Sequence, residues 1–265
     1  MNIKLTHYLD SLQANGRYTF TREEAMAVLG STANAFRFSV LRLIKKKRLV
    51  RPRQGFYVIV PTEYLEIGAP PAAWFIDSLM NFYEQPYYVT LLSAAALYGA
   101  AHQQPQSFQV MTNKPLRPIN TGRSQIQFFT KKVITPTHYR SIKTPTGYMN
   151  VSLPEMTAFD LVRYVKVAGY FNHVATVLAE LQESFDKKRF LNILETENLE
   201  LPDVQRLGYL LEIVGANVGI ILFLKQWLKK KKPCLVPLRP DKGYEKNQKS
   251  MDWHLYINEK IETDI

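Results

Sequence analysis

The chain has 265 residues, of which 46% are hydrophobic, and its formal net charge is +11. The length predicts about two domains, and the apolar fraction excludes disorder or collagen-like repetition along the whole chain. The single cysteine, Cys234, excludes an internal disulfide and a cysteine-rich zinc site, in keeping with a reducing compartment.

In chain order, residues 3–14 space Leu5, Leu9 and Leu12 along one helical face that Gly16 ends. Tyr18-Thr19-Phe20 is β-prone. Thr21 followed by Glu24 forms a capping box, which opens a helix that buries Ala25, Val28 and Leu29 and stops at Gly30. Thr32 then caps a longer helix running to about Lys47, with Phe36, Val40, Leu43 and Ile44 as its apolar stripe. Arg48-Leu49-Val50 and Phe56–Val60 are strand-like, joined by the basic tip Arg51-Pro52-Arg53-Gln54-Gly55. Two helices joined by a tight turn, the second one basic, followed by a basic hairpin, predict a winged helix-turn-helix over residues 1–60.

Charge is concentrated in the same segment. Residues 1–60 carry eleven Lys and Arg against three acids, whereas the remainder carries 23 against 20. Eight of those basic residues lie between Arg37 and Arg53 with no acid among them. Such a cluster repels itself and suits a polyanion; a solvated basic face is the alternative. Recognition helices present their N-terminal residues to base edges, which predicts that role for Thr32, Asn34, Ala35, Arg37 and Phe38. Asn pairs adenine and Arg pairs guanine in two-pronged fashion. Arg42, Lys45, Lys46, Lys47 and Arg48 are expected on phosphates, which position without reading sequence. Arg51, Arg53 and Gln54 on the wing are expected to enter a minor groove or clamp the backbone. A winged helix used for protein contacts is the competing reading.

Pro61–Pro71 reads as a linker, leaving residues 72–265 as a larger mixed domain. Helices are predicted at 72–83 and 91–99, and strands at 107–112, 126–130 and 148–151. Helices follow at 154–168, 170–183, 186–194 and 202–230, with an irregular loop at 233–252 and a strand at 253–257. Strands clustered before helices predict an α+β class.

Catalytic constellations are missing from the sequence. No G-x-G-x-x-G, G-x-x-x-x-G-K or G-x-S-x-G segment occurs, and His7, His102, His138, His173 and His254 are scattered. Asp186-Lys187-Lys188 is the one nuclease-like pairing, and Asp186 reads better as a helix cap. Glu155 and Asp160 lie five apart on one helix and do not share a face. No catalytic residue, cofactor or metal ligand is expected, and the chain is not expected to be an enzyme. The apolar run Ile213–Leu224 has twelve residues with Asn217 inside it, too short for the ~20 that span a membrane. The first ten residues lack the apolar region of a secretory signal, so a cytoplasmic location is expected. Lys225 and Lys229–Lys232 form a second basic cluster, which a helix C-terminus favours without any ligand, a nucleic-acid contact being the alternative. Arg206, Tyr209 and Glu212 suggest a polar edge held by ion pairs.

Several segments together carry a resemblance. They are the winged helix, YYVTLLSAAALYGAAHQQPQSFQVMTNK at 87–114, MNVSLPEMTAFDLVRY at 149–164, RLGYLLEIVG at 206–215 and DWHLYINEKIETDI at 252–265. In this order and spacing the chain resembles the AbiEi family, antitoxins and transcriptional regulators of the type IV (AbiE, abortive-infection) bacterial toxin–antitoxin systems. Tyr98 stands where the family commonly has histidine, and Met156 stands where it has a basic residue. The resemblance implies a repressor that binds inverted repeats of double-stranded operator DNA in its own promoter and self-associates there. It also implies a C-terminal antitoxin domain that opposes a cognate nucleotidyltransferase toxin functionally, with no stable complex required. A stand-alone transcription factor whose larger domain senses a ligand or partner, and a metal-dependent nuclease, are the other readings.

Overall fold

The computed structural model describes residues 4–101, 105–244 and 248–262; His102 and the end of the last motif segment, residues 263–265, lie outside them. The chain forms two compact units, each assembled from three stretches. The first comprises Met1–Val89, Gln106–Ile134 and Ser141–Val151, the second Thr90–Pro105, Thr135–Arg140 and Ser152–Ile265. Its class is α+β.

The first unit opens with α1 (Leu5–Ala14), whose Leu5, Tyr8, Leu9 and Leu12 are buried at the spacing of one face. β1 (Thr19–Thr21) leads directly into α2 (Arg22–Leu29). The capping box closes as expected: the Glu24 N–H donates to Thr21 Oγ1 at 3.1 Å, and the Thr21 N–H donates to Glu24 Oε2 at 2.8 Å. Val28, expected inside, is 50% exposed. The short helix turns Ala25 and Leu29 inward as an i, i+4 pair and leaves Val28 on its flank. In α3 (Ala33–Lys45), Phe36, Val40 and Leu43 face the core. β2 (Leu49–Arg53) and β3 (Phe56–Ile59) complete a three-stranded antiparallel sheet in the order β1-β3-β2. Pro52, which has no N–H to donate, is tolerated because β2 is the edge strand. At the centre Phe20 stacks on Tyr57 at 5.2 Å, with Tyr8 edge-on to Phe20 at 5.7 Å. Three helices and this sheet make a winged helix-turn-helix whose core is drawn from residues 5–59.

The rest of the first unit is a mixed sheet beside α4 (Ile76–Phe82). The segment before α4 is a 3₁₀ turn at Ala72–Trp74, not the start of one long helix. β4 (Tyr87–Val89), β5 (Ser107–Thr112), β6 (Ile119–Thr121), β7 (Ser124–Thr130), β8 (Tyr139–Thr144) and β9 (Gly147–Ser152) line up as β6-β7-β5-β4-β9-β8. β5 runs parallel to β7 and antiparallel to β4. The hydroxyl of Tyr87 ties this sheet to α4 by donating to Asp77 Oδ1 at 2.9 Å.

In the second unit α5 (Leu91–Leu97) is followed by α6 (Pro154–Arg163), in which every residue from Pro154 to Val162 is buried. That burial fixes the roles of its two acids. Glu155 Oε1 accepts the N–H of Asp186 at 2.6 Å, and Asp160 Oδ2 accepts the Thr90 hydroxyl at 2.7 Å. Burial pushes the Glu155 carboxyl above its ordinary value, opposed by the hydrogen bond from Asp186. α7 (Tyr170–Leu181) and α8 (Lys187–Thr196) follow, with Asp186 capping α8 by accepting the N–H groups of Lys188 and Arg189 at 2.8 and 3.1 Å. The predicted helix over 202–230 is two helices, α9 (Leu201–Ile213) and α10 (Val218–Lys231). Gly215 turns the chain at φ +68°, and Asn217 restarts the helix by accepting the Gly219 N–H at 2.8 Å. The stretch read as a loop contributes β10 (Val236–Pro237) and β11 (Gln248–Ser250), which pair with β12 (Leu255–Ile257) on either side.

Asp203 on α9 is 7% exposed and lies 3.7 Å from Arg206 Nη1. Burial pushes its carboxyl up to about 6, with Arg206 pulling the other way. The folded value exceeds the roughly 3.9 of an unfolded aspartate, so ionising Asp203 costs the folded state. Its contribution to stability is intact below about pH 4 and declines as the pH rises through about 6. Urea melts of the wild type and Asp203→Asn should therefore diverge between acid and neutral pH, with the wild type losing on the order of 2–3 kcal/mol relative to the variant. A stability difference independent of pH would contradict this assignment.

Candidate nucleic-acid interface

On α3 the residues Asn34, Arg37, Phe38, Leu41 and Lys45 recur at i, i+3, i+4, i+7 and i+11. All are exposed, opposite the buried Phe36, Val40 and Leu43. Thr32 precedes them, and its hydroxyl accepts the Ala35 N–H at 3.3 Å as the helix cap. Ala35, expected among the base-facing residues, is a quarter-turn away on the flank. There it lines a groove with Arg42 and Lys46 beside Lys4 and Thr6. On the other flank Asn34, Arg37, Leu41, Arg51, Gln54 and Tyr57 line a groove of about 660 Å³ between helix and wing.

The end of α3 explains the spread of its lysines. Lys46 is the C-cap, Lys47 adopts φ +56°, and the N–H groups of Lys47 and Arg48 donate to Ile44 O and Leu43 O, both at 2.9 Å. This is a Schellman motif with lysine where glycine is usual. It swings Lys47 out of the helical path and fans the charges of Lys45, Lys46 and Lys47 apart. Lys47→Gly should raise stability in urea by about 0.5–1 kcal/mol by relieving the left-handed backbone; an unchanged midpoint would show that no strain is stored there. Arg48 turns toward Asp10, with Nη2 3.9 Å from Oδ1, and so is less free than its neighbours.

The wing turns in two residues, Gln54 and Gly55, between the paired Arg53 and Phe56. Gly55 has φ +87°, and a Cβ there would touch Phe82 Cζ at 3.4 Å. Phe56 meets the Phe82 ring at 5.4 Å, and the Arg53 guanidinium lies 5.6 Å above Tyr83. The wing thus rests on the end of α4, with Arg51, Arg53 and Gln54 exposed. Burial pushes the Tyr57 phenol above its ordinary value, opposed by Arg51 and Arg22, and likewise the Tyr83 phenol, opposed by Arg53.

Sequence reasoning passed over Leu41, because an apolar residue in an amphipathic helix reads as core. Its position four after Arg37 is the signal that places it outward. The supports Phe82 and Tyr83 carry no local signal, since they reach the wing only through the tertiary fold.

Other candidate residues serve the fold. His138 is buried, its ring nitrogens 3.0 Å from Glu197 Oε2 and 2.8 Å from Thr196 Oγ1. Arg206 donates to the carbonyls of Leu238 and Pro237 at 3.0 and 3.2 Å. Lys225, grouped with the second basic cluster in the sequence, instead donates to Glu212 Oε1 at 2.6 Å and Asp252 Oδ2 at 2.7 Å. Lys229, Lys230 and Lys231 occupy the last turn of α10, where the helix dipole favours them. Among the described residues no group of three or more His, Cys, Asp or Glu is placed to hold a metal ion, and no helix is long and apolar enough to cross a membrane.

The fold is similar to the crystal structure of the RV2827C protein from Mycobacterium tuberculosis, with a TM-score of 0.69 and 14% identity over 94% of this chain and 89% of that one. No curated protein matches the sequence. A family model described as "Transcriptional regulator, AbiEi antitoxin" matches residues 7–60, the winged helix. A second, "AbiEi antitoxin C-terminal domain", matches residues 88–213. Together the two matches span most of the chain, and they take in both the exposed basic helix and the buried helix α6: the chain belongs to the AbiEi family of antitoxins and transcriptional regulators.

Proposed function

We propose that this protein is the antitoxin and repressor of a type IV toxin–antitoxin operon. In this reading residues 1–60 bind inverted repeats in the promoter, 61–71 connect, and 72–265 oppose a nucleotidyltransferase toxin functionally, with no lasting complex required. The carrying observation is the exposed face of α3, where Asn34 and Arg37 are clear of the core and flanked by Arg42, Lys45, Lys46 and the wing residues Arg51, Arg53 and Gln54. Asn and Arg offer paired hydrogen bonds to base edges, and the surrounding cations neutralise phosphates on either side. Thr32 belongs to the interface as the cap that starts the reading helix, and Lys47 and Arg48 extend its charge beyond the helix end.

The test is a salt-titrated binding assay on DNA from upstream of the gene, with random DNA as control. Selective binding that strengthens as salt falls supports the repressor role; equal weak binding to both refutes it. Rescue of growth on co-expression with a neighbouring nucleotidyltransferase gene supports the antitoxin role, and lack of rescue refutes it.

One observation favours a second reading, a stand-alone regulator that senses a small molecule. The second unit contains a cavity of about 590 Å³ lined by Tyr164, Tyr170, Asp203, Arg206 and Arg239, within the size range of ligand pockets. Operator binding that depends on a metabolite, with no toxin gene nearby, would favour it.

A further inference from the structure

Two large apolar side chains stand in the middle of this polar, basic surface. Phe38 is 59% exposed and Leu41 44% exposed, between Arg37 and Arg42 on the outward face of α3. Nothing in the fold requires them there, because the core side of the helix is already filled by Phe36, Val40 and Leu43. The major groove of a duplex offers side chains one apolar group, the 5-methyl of thymine, amid hydrogen-bonding base edges. Phosphates and the edges of the other bases would leave Phe38 and Leu41 against polar atoms.

Resting on the DNA-binding reading above, we propose that Phe38 and Leu41 read thymine methyl groups, which makes the recognised half-site A·T-containing at defined steps. The helix geometry sets the spacing. Asn34 to Leu41 spans seven residues, roughly 10 Å along the axis, or about three base steps. Phe38 lies one turn beyond Asn34, so an adenine paired by Asn34 and a thymine methyl under Phe38 fall within about two steps of one another. Leu41 lies one turn beyond Arg37, so a thymine methyl under Leu41 falls about two steps from a guanine paired by Arg37. Asn34 and Arg37 supply hydrogen bonds; Phe38 and Leu41 distinguish thymine from cytosine, which lacks the methyl.

The test begins with duplexes that the full-length protein selects from a random-sequence library. In the selected duplex each thymine is replaced in turn by deoxyuridine, which deletes the methyl and leaves the pairing edge intact. At two positions affinity should fall about fourfold, the worth of one buried methyl-sized group. Phe38→Ala should abolish the penalty at one of those positions and Leu41→Ala at another. Because both side chains are exposed, the variants should keep the wild-type melting temperature, and circular dichroism checks that they do. Restoring a methyl with 5-methylcytosine at a position where cytosine is tolerated should recover part of the affinity. Selective binding that no thymine-to-uracil change weakens overturns this proposal and leaves the DNA-binding reading standing. Failure to select any sequence overturns both.

Discussion

Gly208→Ala is expected to destabilise the protein by about 3 kcal/mol, at the upper end of what overpacking a core costs. Gly208 lies in the buried middle of α9, and the indole of Trp253 packs straight onto it. A Cβ built on Gly208 would overlap the ring at Cζ3, Cη2 and Cε3. Trp253 is fully buried and held at several points. Its Nε1 donates to Glu212, and its carbonyl accepts from Gln205 Nε2 at 3.1 Å. The two N–H bonds of Gln205 Nε2 are shared between that carbonyl and those of Cys234 and His254, at 2.9 and 2.8 Å. The indole therefore cannot swing aside, and the strain passes to the small sheet β10-β12-β11. For a chain of this size the loss corresponds to a fall of about 6–12 °C in melting temperature. Shrinking the ring should relieve the clash, so the Gly208→Ala/Trp253→Leu double variant should lose less than the sum of the two singles by at least about 1 kcal/mol. Strict additivity would mean that the two residues do not press on one another.

The second large effect is expected in DNA binding, where two kinds of substitution should separate. Arg37→Ala should weaken binding to selected DNA by about 1–3 kcal/mol and relax preference at one base position, while changing binding to random DNA little. Lys45→Ala/Lys46→Ala should weaken every duplex alike and reduce the slope of log K against log salt by about 2, one counterion for each phosphate left without its lysine. The distinction follows from position. Arg37 shares the central exposed face with Asn34, whereas Lys45 and Lys46 occupy the last turn of the helix and its C-cap. Equal losses for Arg37→Ala on both kinds of DNA would move the reading face elsewhere on α3.

Features set by neighbouring residues were legible in the sequence. The capping box at Thr21 and Glu24, the cap at Thr32 and the cap at Asp186 each depend on residues two or three apart, and all three close as read. The exposed charge on α3 followed from the same periodicity that hid Phe36 and Val40. What stayed illegible depends on residues far apart in the chain. The run Ile213–Leu224 reads as one apolar helix, yet the left-handed Gly215 and the Asn217 cap divide it. β6 is three residues long and β8 is largely polar, so neither shows as a strand until a neighbour pairs with it. Lys225 belongs by sequence to a lysine cluster, and only the fold brings Glu212 and Asp252 to it. The support of the wing by Phe82 and Tyr83 joins residues some thirty apart and leaves no local trace.

The interleaving of the two units has a consequence for synthesis. The core of the winged helix comes wholly from residues 5–59, so it can close while most of the chain is still unmade. The six-stranded sheet cannot. β4 ends at Val89, yet one neighbour, β5, starts at Ser107 and the other, β9, runs to Ser152. At about 5–20 residues per second, roughly 5–20 s separate a finished winged helix from a finished sheet on the ribosome. From the making of β4 until β9 is complete, one edge of β4 stands open, the state in which strands pair with the wrong chain. Nascent chains stalled between Val89 and Val151 should thus carry a folded head and a sticky tail, and the burden on chaperones should fall in that window.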